Sequence, residues 1–173
     1  MRVHGRYKIE RRIVLDKRSY EKYEPELRED FHHMCGYCGK SEAVTKKGFE
    51  IDHFIPQVLA ENLRDHYENL VYSCFICNRK KGKKWPTADI NIAHNSTVGF
   101  CDPASDEFDS HLQRDDNGKI ISCSPVGEYM LKKVFRFDKR PTDIIWKAMQ
   151  IHEMKQSLRS KWSTLSFEDK DEY

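Results

Sequence analysis

The order of apolar and polar positions predicts an α+β chain built from short helices and strands. After Pro25, apolar residues spaced four and three apart (Leu27, Phe31 and Met34) predict a helix. Two apolar runs, FEIDHF and NLVYSC, predict short strands, and Pro56 ends the first of them. The sequence CNRKKGKK, which follows the second strand directly, predicts the start of another helix.

The second half of the chain shows a different pattern. Asn117-Gly118 between SDEFDSHLQRD and KIISC predicts a hairpin, because this pair favours the positive φ angles of a tight turn. Ser124 and Pro125 predict the N-cap and first residue of a helix. After Pro141 a helical stripe of apolar residues follows, with Lys155 interrupting it; its members are Ile144, Ala148, Ile151, Leu158 and Trp162.

These patterns divide the chain of 173 residues into three parts. We predict a basic N-terminal segment with some helix (1–30), a core (31–86) and a C-terminal α+β extension of a hairpin and helices (87–173). No apolar run approaches the roughly 20 residues of a membrane span. The N-terminus is basic but lacks the apolar core of a secretory signal, so we expect a cytoplasmic protein with no membrane contact.

Charge is distributed unevenly, although the net charge is only +2. Residues 1–18 hold seven Arg or Lys, and five of the six residues 79–84 are basic, whereas the tail SFEDKDEY is acidic. Such basic clusters suit a polyanionic partner, namely nucleic acid, although a solvated surface gives the same pattern. The candidate phosphate contacts are Arg79, Lys80, Lys81, Lys83 and Lys84.

The spacing of the cysteines predicts a structural Zn²⁺ site. Four of the six form two Cys-x-x-Cys pairs, Cys35/Cys38 and Cys74/Cys77. Each pair can present two thiolates from a tight turn, and two pairs complete a tetrahedron. A disulfide framework is the alternative, but it does not suit a reducing compartment. His32 and His33 are near enough to replace a thiolate, yet four thiolates already fill the site; Cys101 and Cys123 read as ordinary small apolar residues.

A second candidate site lies between the two cysteine pairs. Asp52 and Asn78 offer hard oxygen ligands suited to Mg²⁺ or Mn²⁺, and the imidazole of His53 can accept a proton from water. In a regular strand Asp52 and His53 point to opposite faces, so they serve one site only if the strand ends or bends there. A purely structural role is the alternative for each residue: Asp52 as an N-cap or turn residue, His53 as a structural histidine and Asn78 as a helix cap.

The order and spacing of four short motifs resemble those of the HNH endonuclease family. The motifs are CGYC (35–38), DHFIP (52–56), NL (69–70) and CFICNRKKG (74–82). The resemblance covers roughly 50 residues and implies the family's ββα-metal fold. It implies that Asp52 and Asn78 bind the catalytic ion, with Asn78 standing where other members carry histidine. It also implies that His53 is the general base and that Asn69 fixes the loop carrying it, although Asn69 also suits a purely local backbone contact.

The resemblance implies a metal-dependent nuclease whose products carry 5′-phosphate and 3′-hydroxyl ends. DNA is the expected substrate, and RNA such as tRNA is the first alternative. A catalytically silent zinc-knuckle module that binds nucleic acid or protein is the second. An intact set of Asp52, His53 and Asn78 favours the enzyme, because a binding module has no need of it.

The region around VGFCDPASDEF and the helix after it resembles, more loosely, the C-terminal region of some stand-alone bacterial HNH proteins. Some of those proteins are nuclease partners of an ATPase in two-gene antiphage systems of the Septu and retron-linked kind. This resemblance implies a defence role and an ATPase partner. The alternative is an extension that only completes the core.

Overall fold

The computed structural model describes residues 1–164, and the acidic tail SFEDKDEY lies outside the described residues. The fold is mixed α+β, as predicted, with two small antiparallel sheets of two strands each in the described chain. The strands are β1 (Phe49–His53), β2 (Leu70–Cys74), β3 (Leu112–Arg114) and β4 (Ile120–Ser122). The α-helices are α1 (Glu24–Asp30), α2 (Phe75–Lys81), α3 (Phe108–His111), α4 (Pro125–Tyr129) and α5 (Thr142–Thr164).

The central part of the chain has the order β1, β2, α2, which confirms both predicted strands and the helix after them. β1 and β2 pair from Phe49 opposite Cys74 to His53 opposite Leu70. β2 is buried along its whole length, and α2 begins at the residue after it. The chain between the strands contains only single 3₁₀ turns, at Glu61–Leu63 and Tyr67–Asn69.

The predicted hairpin and capped helix of the extension are both present. β3 and β4 are joined by the Asn-Gly turn, where Gly118 adopts φ +86°. Ser124 caps α4, because its hydroxyl accepts a hydrogen bond from the Gly127 amide at 3.0 Å. The helix then continues through a π-helical segment, Met130–Val134. The local sequence signals for a turn and for a helix cap were therefore sufficient to predict the hairpin and α4.

The N-terminal segment packs against the extension. Arg2 forms a β-bridge with Gln113, the terminal amine donates to the Arg114 carbonyl, and Val3 is fully buried. Many of its basic residues are engaged within the protein; the ion pairs include Arg11 with Asp102, Arg12 with Asp30 and Lys17 with Glu26. These ion pairs balance part of the positive charge of the N-terminal segment.

α5 begins after Pro141 as predicted, but the apolar stripe does not face the core. Ile144, Ile151 and Leu158 are each more than half exposed. Met149 is buried instead, and the guanidinium of Arg114 lies 4.4 Å from the ring of Trp146. Because 144 and 146 are two positions apart, they lie on nearly opposite sides of a helix. Within residues 1–164, no helix is long and apolar enough to cross a membrane.

One cluster of buried apolar side chains connects the central part with the extension. Tyr37, between the first two cysteines, stacks on Phe135 at 4.8 Å between ring centroids. Phe135 in turn stacks on Phe137. The extension therefore packs against the central part of the chain through the aromatic residues Phe135 and Tyr37.

Candidate active site

The four predicted zinc ligands converge in the structure. Cys35, Cys38, Cys74 and Cys77 are all buried, and their sulfur atoms lie within 4.8 Å of one another. The Cys38 and Cys74 sulfurs are 3.8 Å apart, the spacing of about 3.8 Å that a tetrahedral ion with Zn–S bonds near 2.3 Å requires. All six cysteines of the chain are free thiols. The cluster therefore has the composition, burial and size of a structural zinc site.

A positively charged side chain lies beside this cluster. Arg140, from the extension, donates to the Cys77 sulfur at 3.3 Å and contacts the Cys38 sulfur at 3.8 Å. Hydrogen bonds from the neighbouring cysteines, first of all Cys35, lower the pKa of the Cys38 thiol, and the charge of Arg140 acts in the same direction. Both effects favour the thiolate, which is the form that binds metal.

Two buried residues that the sequence did not single out hold the first cysteine turn. Burial lowers the pKa of His4 to about 4, so its ring is neutral, and its Nε2 lies 2.8 Å from the Gly36 carbonyl oxygen. Arg114 donates to the Cys38 carbonyl at 2.7 Å. Both come from outside residues 31–86, and no local pattern marks either of them as a contact to this turn.

Asp52 is buried at the end of β1 with two partners on the same oxygen. Its Oδ2 accepts a hydrogen bond from the Tyr37 hydroxyl at 2.5 Å and lies 3.2 Å from the Lys81 ammonium. Burial raises the pKa of the Asp52 carboxyl, while the charge of Lys81 and the bond from Tyr37 act against that rise. The hydrogen bond from Tyr37 and the contact with Lys81 are thus both made at Oδ2.

Lys81 departs from its predicted role as a phosphate contact. Its side chain is fully buried, and besides the Asp52 contact its Nζ donates to the His53 carbonyl at 2.6 Å. A nucleic acid cannot reach this ammonium. Lys81 instead joins the backbone of one predicted site residue to the carboxylate of the other.

His53 is held in one orientation by the chain that follows β1. Its Nε2 lies 2.8 Å from the Arg64 carbonyl oxygen, so Nε2 carries the proton and Nδ1 carries the lone pair. The Gln57 amide nitrogen lies 3.1 Å from Nε2 and 3.2 Å from Nδ1, and Tyr20 contacts the ring at 4.7 Å between centroids. Burial lowers the pKa of His53, so the ring is neutral near pH 7.

Asn69 fastens the backbone just after His53. Its Oδ1 accepts from the Ile55 amide at 2.8 Å, and its Nδ2 donates to the carbonyls of Ile55 and Leu63 at 3.1 and 3.2 Å. The Asn69 carbonyl also accepts from the Phe54 amide. One side chain therefore joins the end of β1 to the turn before β2.

Asp52, His53 and Asn78 line the same cavity, which has a volume of about 200 Å³. Both Asp52 and His53 belong to β1, paired with Val71 and Leu70, and His53 is the last residue of the strand. The Asn78 Nδ2 donates to Glu50 Oε2 at 2.6 Å, which leaves its carbonyl oxygen for a ligand. Asp52 and Asn78 thus offer two oxygen atoms, a donor set that fits Mg²⁺ or Mn²⁺.

The other basic residues of 79–84 lie at the surface. Arg79, Lys80, Lys83 and Lys84 are exposed, and Lys83 also lines the cavity. Arg79 is 3.6 Å from Glu50, so part of its charge is already balanced. The cavity therefore has one exposed lysine, Lys83, in its lining, and the buried Lys81 contacts the Asp52 that also lines it.

Comparison with known proteins agrees with this arrangement. Residues 35–84 match the family model described as HNH endonuclease. The Septu protein PtuB of Bacillus thuringiensis is 34% identical to this chain over 83 residues. That match covers 43% of this chain and 32% of the relative, so it spans about a third of the relative's length. No solved structure matches the chain.

Proposed function

We propose that the protein is a metal-dependent nuclease that cuts DNA in bacterial defence, because residues 35–84 match the HNH endonuclease family model. The shared cavity of Asp52, His53 and Asn78 carries this proposal. It holds a neutral imidazole beside two oxygen ligands, which are the groups needed to activate water next to a bound phosphate. A silent binding module would have no use for this combination.

His53 is the general base of the proposed reaction. Its Nδ1 takes a proton from a water molecule, while its Nε2–H stays hydrogen-bonded to the Arg64 carbonyl and so stabilises the imidazolium that forms. The water oxygen then attacks phosphorus in line and breaks the bond to the 3′ oxygen. That oxygen takes a proton from solvent and His53 returns its proton to solvent, which leaves 5′-phosphate and 3′-hydroxyl ends. A Mg²⁺ or Mn²⁺ ion held by Asp52 and Asn78 would supply stabilisation of negative charge on the phosphate and the departing oxygen.

Three further side chains position these groups. Lys81 and Tyr37 both contact Oδ2 of the Asp52 carboxylate and so restrict its orientation. Asn69 fixes the backbone that follows His53. A Zn²⁺ ion on the four cysteines would join the loop before β1 to the end of β2 and the start of α2, and so hold the two halves of the cavity together.

The exposed lysines near the cavity are the proposed phosphate contacts. Lys80, Lys83 and Lys84, together with Arg79, would neutralise the backbone of the nucleic acid on either side of the cut. Such contacts carry no base information, so they serve DNA and RNA alike. We further propose an ATPase partner protein, because the extension resembles that of nucleases from two-gene systems and the matched relative is named a Septu protein.

The test is cleavage by purified wild type, His53→Ala and Asn78→Ala, alone and with a candidate ATPase partner protein. Supercoiled plasmid, single-stranded DNA and tRNA are each incubated with Mg²⁺ or Mn²⁺. We expect wild type to cut DNA, His53→Ala to lose more than about a hundredfold in rate and Asn78→Ala to require more metal. His66→Ala is the matched control, because His66 is an exposed histidine outside the cavity lining.

Each outcome separates the candidate functions. Cutting of tRNA alone would keep the enzyme and change the substrate class. Binding of nucleic acid by gel shift without any cutting, with and without the ATPase, would support the silent module instead. Equal rates for wild type and His53→Ala would contradict the proposed base.

A further inference from the structure

A cluster of possible metal ligands lies outside the domain at 35–84. His94, Glu107 and His111 place their ligand atoms within 4.8 Å of one another, and none of the three is used by the proposed reaction. The cluster sits at the surface, with His94 and His111 partly buried and Glu107 exposed. Two imidazoles and a carboxylate are a ligand set that zinc commonly has in proteins.

Two structured segments bring the three side chains together. Glu107 precedes α3 and His111 ends it, so the pair is four residues apart and shares one side of the turn. His94 comes from a separate tight turn, in which it forms a β-bridge with Gly99. Gly99 has φ +139°, and an added Cβ would stand 2.3 Å from the His94 Cα, so this turn is closely packed.

The ring nitrogens of both histidines have a defined arrangement. Nδ1 of His111 lies 2.7 Å from the Ser124 hydroxyl, and Nδ1 of His94 lies 3.4 Å from the Asn95 carbonyl oxygen. Nε2 is therefore the nitrogen that each ring offers to a ligand. A hydrogen bond on the other ring nitrogen is the usual support of a metal-binding histidine, because it fixes the tautomer and the ring orientation.

The distances also suit a small tetrahedral ion. His94 Nε2 and Glu107 Oε2 are 3.2 Å apart. Ligand bonds of about 2.0–2.1 Å with tetrahedral angles require donor atoms about 3.3 Å apart. The ring centroids of His94 and His111 are 5.2 Å apart, and the ligand atoms of all three residues lie within 4.8 Å of one another.

We propose that His94, Glu107 and His111 form a second metal site, which binds Zn²⁺ or another borderline divalent transition-metal ion. The ligands are Nε2 of each histidine and the Glu107 carboxylate, and water takes the fourth position. Imidazole ligands select such ions over Mg²⁺, so this site differs in kind from the oxygen-lined cavity at Asp52 and Asn78. A bound ion would join the 93–100 turn to α3.

The test compares zinc uptake by wild type, Glu107→Gln and His94→Asn. The proteins are dialysed against a weak chelator, and Zn²⁺ bound at each free concentration is measured by equilibrium dialysis and elemental analysis. We expect wild type to bind one more Zn²⁺ than either variant, with affinity lowered at least about tenfold in both. Uptake at the four cysteines and at the cavity is common to all proteins and cancels in the comparison.

Two matched controls remove the same chemical groups elsewhere. Asp106→Asn removes the neighbouring exposed carboxylate, and His152→Asn removes a histidine on α5; both are expected to bind zinc as wild type does. Added Zn²⁺ should raise the melting temperature of wild type and of both controls more than that of Glu107→Gln or His94→Asn. Equal zinc uptake by all five proteins would overturn the proposal. So would melting temperatures that differ between the proteins only when no metal is added. In either case His94 and Glu107 would form no more than an ion pair at the surface.

Discussion

Lys81 and Asp52 form a charged pair inside the protein, and this pair explains how an acid can stand at the end of a buried strand. An unpaired buried carboxylate would take up a proton, because burial disfavours the charged form. The Lys81 ammonium at 3.2 Å and the Tyr37 hydroxyl at 2.5 Å oppose that effect. The carboxylate is therefore kept ready for a cation without being exposed to solvent.

Replacement of Lys81 by Met should harm both stability and cutting. Removing one partner of a buried pair leaves an uncompensated charge, so we expect Lys81→Met to lower the free energy of unfolding by about 3–5 kcal/mol. Urea denaturation measures this loss. The double variant Lys81→Met/Asp52→Asn should recover most of the stability but none of the activity. Recovered activity in the double variant would contradict a metal-binding role for Asp52.

The pH dependence of cutting should follow His53. Its pKa lies below the usual 6.5 because burial disfavours the imidazolium, and the neutral ring is the active form. The rate should therefore fall on the acid side and become independent of pH near neutrality. Initial rates between about pH 5 and 8 at saturating Mg²⁺ test this, since histidine titrates in that interval. A rate that still rises about tenfold per pH unit above neutrality would contradict His53 as the base.

At the scale of elements, the β3–β4 hairpin depends on Gly118. Its φ of +86° is strained for other residues, and an added Cβ would lie 2.2 Å from the Trp146 ring. We expect Gly118→Ala to lower the free energy of unfolding by more than about 1 kcal/mol, measured by urea denaturation. Gly48→Ala is the control: nothing lies within 4 Å of its added Cβ, and its stability should match or exceed that of wild type.

The elements that the sequence predicted correctly all carry a local signal. Pro56, the Asn-Gly pair and Ser124-Pro125 are chemical constraints on a few consecutive residues, and β1, the hairpin and α4 follow from them. The two cysteine pairs likewise restrict the chain over short distances. The prediction that Asp52, His53 and Asn78 share one site had a different basis, namely the spacing of the motifs that resemble the HNH family.

The features that the sequence did not predict depend on contacts between distant residues. Lys81 lies in a basic run, and only its packing against β1 shows that it is buried beside Asp52. The exposed apolar stripe of α5 has the periodicity of a buried one, so periodicity alone could not identify the packed side. His94 and Glu107 carry no common motif, because the turn and the helix that hold them are separate in the chain.

At the scale of the whole molecule, all three predicted parts meet at the cysteine cluster. His4 from the N-terminal segment contacts the carbonyl of Gly36, and Arg140 from the extension contacts the sulfurs of Cys38 and Cys77. Arg114 reaches the same turn from β3. The ion at this site would therefore stabilise the arrangement of the whole described chain as well as the central β1–β2–α2 unit.

Removal of zinc should consequently unfold more than the domain at 35–84. Binding of structural zinc contributes about 10–16 kcal/mol in small peptides, which matches or exceeds the about 5–15 kcal/mol of a typical folded domain. We expect a strong chelator to abolish the cooperative thermal transition and to expose amides of both β2 and β3 to hydrogen exchange. Cys38→Ser should behave in the same way, whereas Cys123→Ser, with an exposed thiol outside the cluster, should resemble wild type. If β3 kept its protection after zinc was lost, the extension would have a stability of its own, and Arg140 would only shield the sulfurs.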